Sequence, residues 1–342
     1  MSKPANVIWL LCSAAVLFGF SAVNDGFIPK YPHNWPKPQY NFESNPLKPE
    51  QIALGRKLFY DPILSANNTI SCASCHLSYT AFTHVDHALS HGIRDSIGTR
   101  NSPVLINLAW NKHFMWDGAV NNIEVQALAP ISHPAEMGSS ITEALVKLNA
   151  DSTYQSMFES CFQTKEISSK QILISLAQFQ LTLISSNAKY DQVQAGKAEF
   201  SIQENKGYKL FKQHCNSCHT EPLFTNGKFS SNGLPVDTTL NDVGRYGVSK
   251  RPADSLQFKI PTLRNIEFSQ PYMHDGRFKT IAEALKHYSY GIDSSGNFKS
   301  KINGNIQLSS NDRVDLLAFL LTLTDKSFLF NPDYAYPRAL QN

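Results

Sequence analysis

The sequence predicts a mainly α-helical protein made of two tandem, similar domains with long loops, and three observations carry that prediction. Segments recur in the same order at offsets between 140 and 158 residues. Each copy closes with an apolar stretch of helical length, and alternating, strand-like patterns are few. At 342 residues, 42% of them hydrophobic, the chain is long enough to bury two cores.

At the N-terminus, Val7 to Val23 form seventeen residues without a charge, preceded by Lys3 and holding Gly19 and Ser21, small residues of the kind a cleavage site wants. Residues 1–21 are therefore read as a signal peptide, and the protein as exported. A run of this length also approaches a short membrane anchor. Cys12 could carry a lipid, but Leu11 before it suits a lipid-attachment signal poorly. Six prolines from Pro29 to Pro49 predict an extended lead-in over residues 22–45, a poor place for a core. The two domains are then expected at 46–190 and 191–342.

The repeat supports that division. Gly55-Arg56-Lys57-Leu58-Phe59 returns as Gly207-Tyr208-Lys209-Leu210-Phe211. Pro103, Leu105, Asn107, Met115, Asp117, Gly118 and Ile123 return 158 positions on as Pro261, Leu263, Asn265, Met273, Asp275, Gly276 and Ile281. Leu176, Phe179, Leu181, Thr182 and Leu183 return as Leu316, Phe319, Leu321, Thr322 and Leu323, with Ser310 as the expected N-cap of the second stretch. Asn226 to Asp254, polar and glycine-containing without helical period, predicts a long loop with at most a short hairpin. The formal charge of +3 comes without a Lys/Arg run, which argues against a nucleic-acid groove.

Four of the six cysteines stand in Cys72-Ala73-Ser74-Cys75-His76 and Cys215-Asn216-Ser217-Cys218-His219, one motif per half. In CxxCH two thiols add to the vinyl groups of a haem and the histidine supplies a nitrogen to its iron. A zinc site would need further soft ligands nearby, and a dithiol redox pair has no use for the histidine twice. The pattern therefore predicts two c-type haems in cytochrome c-like domains. Cys161, outside both motifs, is expected to be a buried thiol. The halves then differ in their polar residues: Trp116 faces His274 across the repeat, Gln126 faces Ala284 and Glu136 faces Ser294.

On these residues, and on Ser90-His91-Gly92, Thr99-Arg100-Asn101-Ser102-Pro103, Trp116-Asp117-Gly118, Ala135-Glu136-Met137 and Pro271-Tyr272-Met273-His274-Asp275-Gly276, the chain from about Pro46 to Leu323 resembles the bacterial dihaem cytochrome c peroxidase family, which includes the MauG proteins. The resemblance implies a periplasmic enzyme whose first domain is peroxidatic and whose second transfers electrons. It implies that His76 and His219 are proximal ligands, that His91 occupies and must vacate the distal side of the first haem, and that Glu136 is the general acid/base. Gln126 would hold the peroxide, and Trp116 would relay charge between the haems. Asn101, with the carbonyls of Ser269 and Pro271, matches the family's calcium site. Without the resemblance, Glu136 and Gln126 would read as surface groups, Trp116 as core and His91 as a loop histidine.

One position departs from the peroxidase pattern. Fourteen residues after His274, where those enzymes carry a methionine over the second haem, stands Tyr288, as in the MauG branch. A phenolate lowers the iron potential and methionine raises it. Tyr290, His287 and Met273 are the alternative ligands. The leading expectation is reduction of hydrogen peroxide to water with electrons from a small cytochrome c or cupredoxin. Peroxide-driven oxidation of a partner protein side chain and a plain electron carrier are the other readings, and a homodimer is compatible with each.

Overall fold

A computed structural model describes residues 26–293 and 304–337; the expected signal peptide and Cys12 lie outside them. Each half is organised by a pair of crossed helices. In the first half Pro49–Tyr60 packs on Ser169–Leu181, and in the second Ile202–His214 packs on Ser310–Leu321. The repeated glycine explains the close crossing. A Cβ added at Gly55 would lie 1.8 Å from the Ser175 carbonyl oxygen, and one at Gly207 would lie 1.9 Å from that of Asp315. Only a residue without a side chain lets the backbones approach so far.

The helix starts follow local chemistry. Ser168 with Gln171, Ser201 with Glu204 and Ser309 with Asp312 form capping boxes, each satisfying amides that the helix leaves without partners. The cap of the last long helix is thus Ser309; Ser310 is its first helical residue, one position from the expectation. Leu54, Leu58, Phe59, Phe82 and Phe179 centre the first core, and Phe211, Phe224, Leu316 and Phe319 the second. Burying each such side chain stabilises by about 1.5–3 kcal/mol.

The loops repeat as faithfully as the helices. Asn107 and Asn265 both adopt the left-handed conformation, at φ 55° and 58°, which asparagine tolerates better than most residues. Their N–H groups donate to Leu183 O at 2.8 Å and Leu323 O at 3.0 Å, tying each loop to the end of its closing helix. Single antiparallel bridges, Phe114 with Val120 and Tyr272 with Phe278, bracket the two Met-X-Asp-Gly turns. The long loop carries a two-residue ribbon, Phe229–Ser230 against Phe258–Lys259, and a helical turn at Tyr246–Ser249.

Three expectations about organisation are corrected. Among its described residues the lead-in has no helix, but it contributes Trp35 and Phe42 to the buried core, because aromatic side chains can pack from an extended chain. Trp35 also lies against the fully buried Arg264, 4.6 Å from its ring centre. The tail placed with the second domain returns to the first. Phe328 and Leu329 join the first core, and Tyr60 Oη donates to Tyr334 O at 2.6 Å. Conversely, Tyr190 is buried in the second core. Cys161 is a free thiol, half-buried against the first core and not fully enclosed. Among the described residues no helix is long and apolar enough to cross a membrane.

Candidate active site

Both CxxCH motifs fold as a single helical turn. His76 N–H donates to Cys72 O at 3.0 Å and His219 N–H to Cys215 O at 2.9 Å. All four thiols are free, so nothing competes with attachment to a haem. His76 Nδ1 lies 2.6 Å from Phe82 O, and His219 Nδ1 lies 3.1 Å from Pro261 O. A carbonyl partner fixes the tautomer with the proton on Nδ1 and leaves Nε2 as the lone-pair nitrogen, the arrangement a metal-binding histidine needs. Burial pulls both imidazoles down to about 4, so they are neutral near pH 7. The residues present fit two c-type haems.

Of the polar residues that break the repeat, Glu136 lies near the first motif. Glu136 raises both thiols of the first motif: Cys72 is pushed up to about 12 by burial first, then Cys75 and Glu136, and Cys75 to about 11 by burial, then Glu136. Its own carboxyl is raised by burial, with His133 opposing. The backbone fixes its place. Ile93 N–H donates to Glu136 O at 2.8 Å, and Gly92 sits so close that a Cβ there would be 2.2 Å from Ala135 O. The segments carrying His91 and Glu136 are therefore locked together. The Cys75 thiol reaches the His91 carbonyl at 3.4 Å, which puts that pair against the first motif.

His91 itself is braced. Its Nδ1 lies 2.9 Å from Asp95 Oδ1 and its ring stacks on His87 at 4.1 Å, while His87 stacks on His84 at 5.2 Å. Gln126 donates to Met115 Sδ at 3.4 Å, which leaves its second amide hydrogen and its carbonyl available.

Trp116 stands at the junction of the halves. Its Nε1 donates to Asn101 O at 2.8 Å, its carbonyl accepts from Lys259 N–H at 2.7 Å, and Asn101 N–H donates to His274 O at 2.7 Å. The buried Asn101 therefore connects Trp116 with the second half through its own peptide. Its side-chain Nδ2 donates to Ala88 O at 3.0 Å, and its Oδ1 accepts no hydrogen bond among the described residues. Arg100, next to it, pairs with Asp117 at 2.7 Å and bidentately with Asp242 at 2.6 and 2.8 Å, joining the first half to the long loop of the second.

In the second half, Tyr288 is raised by burial, then by Cys215 and Cys218 of the second motif. The alternatives point elsewhere or are occupied. Tyr290 is 63% exposed and accepts from Arg313 at 3.0 Å. His287 Nε2 lies 3.0 Å from Asn232 O, and Met273 Sδ accepts from Asn232 Nδ2 at 3.2 Å. Asn232 and the Arg100–Asp242 clamp were not singled out from sequence. The only hint at Asn232 was its place in a long loop, since no spacing links it to Tyr288.

Two CxxCH turns in tandem helical domains, with a carboxylate beside one and a phenol beside the other, define a di-haem c-type cytochrome with the makings of an enzyme. Comparison with known proteins gives the family. The profile described as di-haem cytochrome c peroxidase matches residues 49–199, and that described as cytochrome c matches residues 204–324. Methylamine utilization protein MauG of Methylorubrum extorquens is 33% identical over 304 residues, covering 85% of this chain and 82% of that protein. Cytochrome c551 peroxidase of Nitrosomonas europaea is 32% identical, covering 85% and 84%. A crystal structure of a MauG-like protein associated with microbial copper homeostasis superposes with a TM-score of 0.82 at 31% identity, covering 90% of this chain and 98% of the other. The chain belongs to the di-haem cytochrome c peroxidase family that includes MauG, and is a haem-dependent oxidoreductase.

Proposed function

We propose that the protein is a periplasmic peroxidase that reduces hydrogen peroxide to water at the first haem, with electrons entering through the second from a small cytochrome c or cupredoxin. When bound, the haems supply the redox chemistry, in which two electrons and two protons turn one peroxide into two waters. His76 with Cys72 and Cys75 would hold the first haem; His219 with Cys215 and Cys218 would hold the second, with Tyr288 as a further ligand. The observation that carries the proposal is the part-buried carboxyl of Glu136, raised by burial, on a segment bonded to that of His91, whose carbonyl meets the Cys75 thiol of the first motif.

Each residue then has a task that suits its surroundings. Glu136 takes the proton from the near oxygen of peroxide and returns it to the far one, so that water leaves as the oxygen–oxygen bond breaks. Gln126 orients the peroxide with the amide atoms that Met115 does not use. His91, braced by Asp95 and His87, would gate access of peroxide to the first haem. Trp116 provides an aromatic stepping stone between the halves. Asn101 Oδ1 with the Ser269 and Pro271 carbonyls would hold one Ca²⁺, completed by water.

Tyr288 favours a second reading, in which peroxide drives oxidation of a side chain on a partner protein, as the branch with tyrosine at this position suggests. One experiment separates the two. The haem-loaded protein is mixed with peroxide and a reduced cytochrome c or cupredoxin while spectra are followed. Rapid multiple turnover of the donor supports the peroxidase; a long-lived peroxide-oxidised spectrum with little donor oxidation supports the second reading. Glu136→Gln that keeps full peroxide turnover would overturn the role of Glu136.

A further inference from the structure

The first half carries a stretch that the second lacks. Cys72 follows Phe59 by thirteen positions, whereas Cys215 follows the equivalent Phe211 by four. The added residues fold as a compact turn. Pro62–Leu64 forms one tight helical turn started by Asp61, whose Oδ1 accepts from Ile63 N–H at 2.9 Å. Ser65, fully buried, closes it: its Oγ accepts from Thr69 N–H and Ile70 N–H, both at 3.2 Å. The turn gathers its oxygens about one point, and Lys147 of the helix Ile141–Ala150 occupies that point. Its Nζ donates to Ser65 O at 2.5 Å, Asn68 Oδ1 at 2.8 Å, Ala66 O at 3.2 Å and Ile63 O at 3.4 Å. An ammonium carries three rotatable N–H groups on one atom, which suits oxygens gathered in this way. The turn in its place holds the Glu136 segment. Ala66 N–H donates to Met137 O at 2.9 Å, next to the Glu136 O that Ile93 N–H holds at 2.8 Å. Two successive carbonyls are thus fixed by two different segments. Gly138 follows at φ +57°, and a Cβ there would fall 2.2 Å from Ile93 Cδ1. The second half, without the added turn, has Ser294 where the first has Glu136.

We propose that Lys147 is a positioning residue for Glu136: by tying together the oxygens of residues 62–68 it keeps Ala66 N–H on Met137 O, and so fixes the backbone from which the Glu136 side chain projects. The proposal rests on the reading of Glu136 as the acid/base. Such a group works within hydrogen-bond reach of the proton it moves, and a misplacement of about 1 Å that arises far from the chemistry can cost on the order of 10²-fold in rate. The hydrogen bonds of Lys147 go to the turn and not to the carboxyl, so it acts through the backbone. Without its ammonium the gathered oxygens repel one another, the turn relaxes, and the Met137 carbonyl loses its fixed donor.

The test is the bimolecular rate of reaction with peroxide, measured by stopped flow on the haem-loaded protein. Lys147→Met and Lys147→Arg are compared, each alone and combined with Glu136→Gln, and hydrogen exchange is read by mass spectrometry. Lys147→Met is expected to slow the reaction by roughly 10- to 100-fold and to raise exchange in residues 62–70 and 133–139 together. In the Glu136→Gln background it should add nothing, because residues that act as one unit are not additive. Lys147→Arg, which keeps a cationic donor, should recover part of the rate. Haem content is measured on each variant, and if Lys147→Met does not assemble, Lys147→Gln decides. If Glu136→Gln keeps the full rate, the reading of Glu136 fails. If Glu136→Gln slows the reaction while Lys147→Met leaves it unchanged, slows both backgrounds equally, or raises exchange in residues 62–70 alone, the role of Lys147 by itself is overturned.

Discussion

At the scale of single residues, the chemistry turns on where two side chains lose water. Glu136 is raised by burial, against the pull of His133, so its carboxyl exchanges protons at higher pH than an ordinary glutamate. If Glu136 is the proposed base, its ionised form accepts the first proton of peroxide, and kcat/KM should fall as pH drops through its raised pKa. In Glu136→Gln that limb should vanish and turnover should fall by roughly 10²- to 10⁴-fold, with haem absorption retained. Stopped-flow pH profiles of the two proteins check both statements. Arg264 is the structural counterpart. Fully buried, it is held by Asp191 at 2.8 and 2.9 Å and by Pro222 O. Asp191→Ala strands that charge and should cost about 3–5 kcal/mol in a urea unfolding curve.

At the scale of elements, the crossed helix pair is the unit that was copied. Gly55 and Gly207 occupy the same point of the same crossing, each against a carbonyl oxygen closer than 2 Å from where a Cβ would stand. A methyl there must push the helices apart, so Gly55→Ala and Gly207→Ala should each lose about 1–3 kcal/mol or more. The damage should be local: Gly207→Ala is expected to lower incorporation of the second haem while the first keeps its spectrum, as separate potentiometric waves would show. These helices were legible because their apolar residues recur with helical period; their capping boxes, Ser168 with Gln171, Ser201 with Glu204 and Ser309 with Asp312, came from the structure. The wide turn at Tyr288 was not, since a change of winding over five residues leaves no period to read.

For the whole molecule, the junction matters more than either half. Asp242 is pushed up by burial but held below the usual carboxylate range by the stronger effect of Arg100. A carboxylate depressed in the folded state stabilises above its unfolded pKa and loses that contribution as pH falls through the folded value. The Arg100–Asp242 clamp should therefore weaken as pH falls through that lowered value, and Arg100→Leu should move acid unfolding to higher pH, measured by circular dichroism. The proposed calcium site sits at the same junction. If it fills, chelation should lower the thermal midpoint and added Ca²⁺ at about 100 times its Kd should restore about 2.7 kcal/mol. Asn101→Ala should abolish that response, and an unchanged midpoint in the parent protein would sink the assignment.

The sequence by itself determined two haem-attachment turns, two helical domains and a polar asymmetry between them, because covalent motifs, helical period and repeat offsets are local or periodic properties of a chain. It also singled out Glu136, Gln126 and Tyr288, though only resemblance gave them roles. What the tertiary structure decided depends on residues far apart in the chain. The lead-in and the tail close over cores from which they are distant in sequence, through Trp35 on Arg264 and Tyr334 on Tyr60. Asn101 meets His274, and Asn232 meets Met273 and His287. Such contacts follow from how the loops are folded back, and nothing in the spacing of the residues announces them.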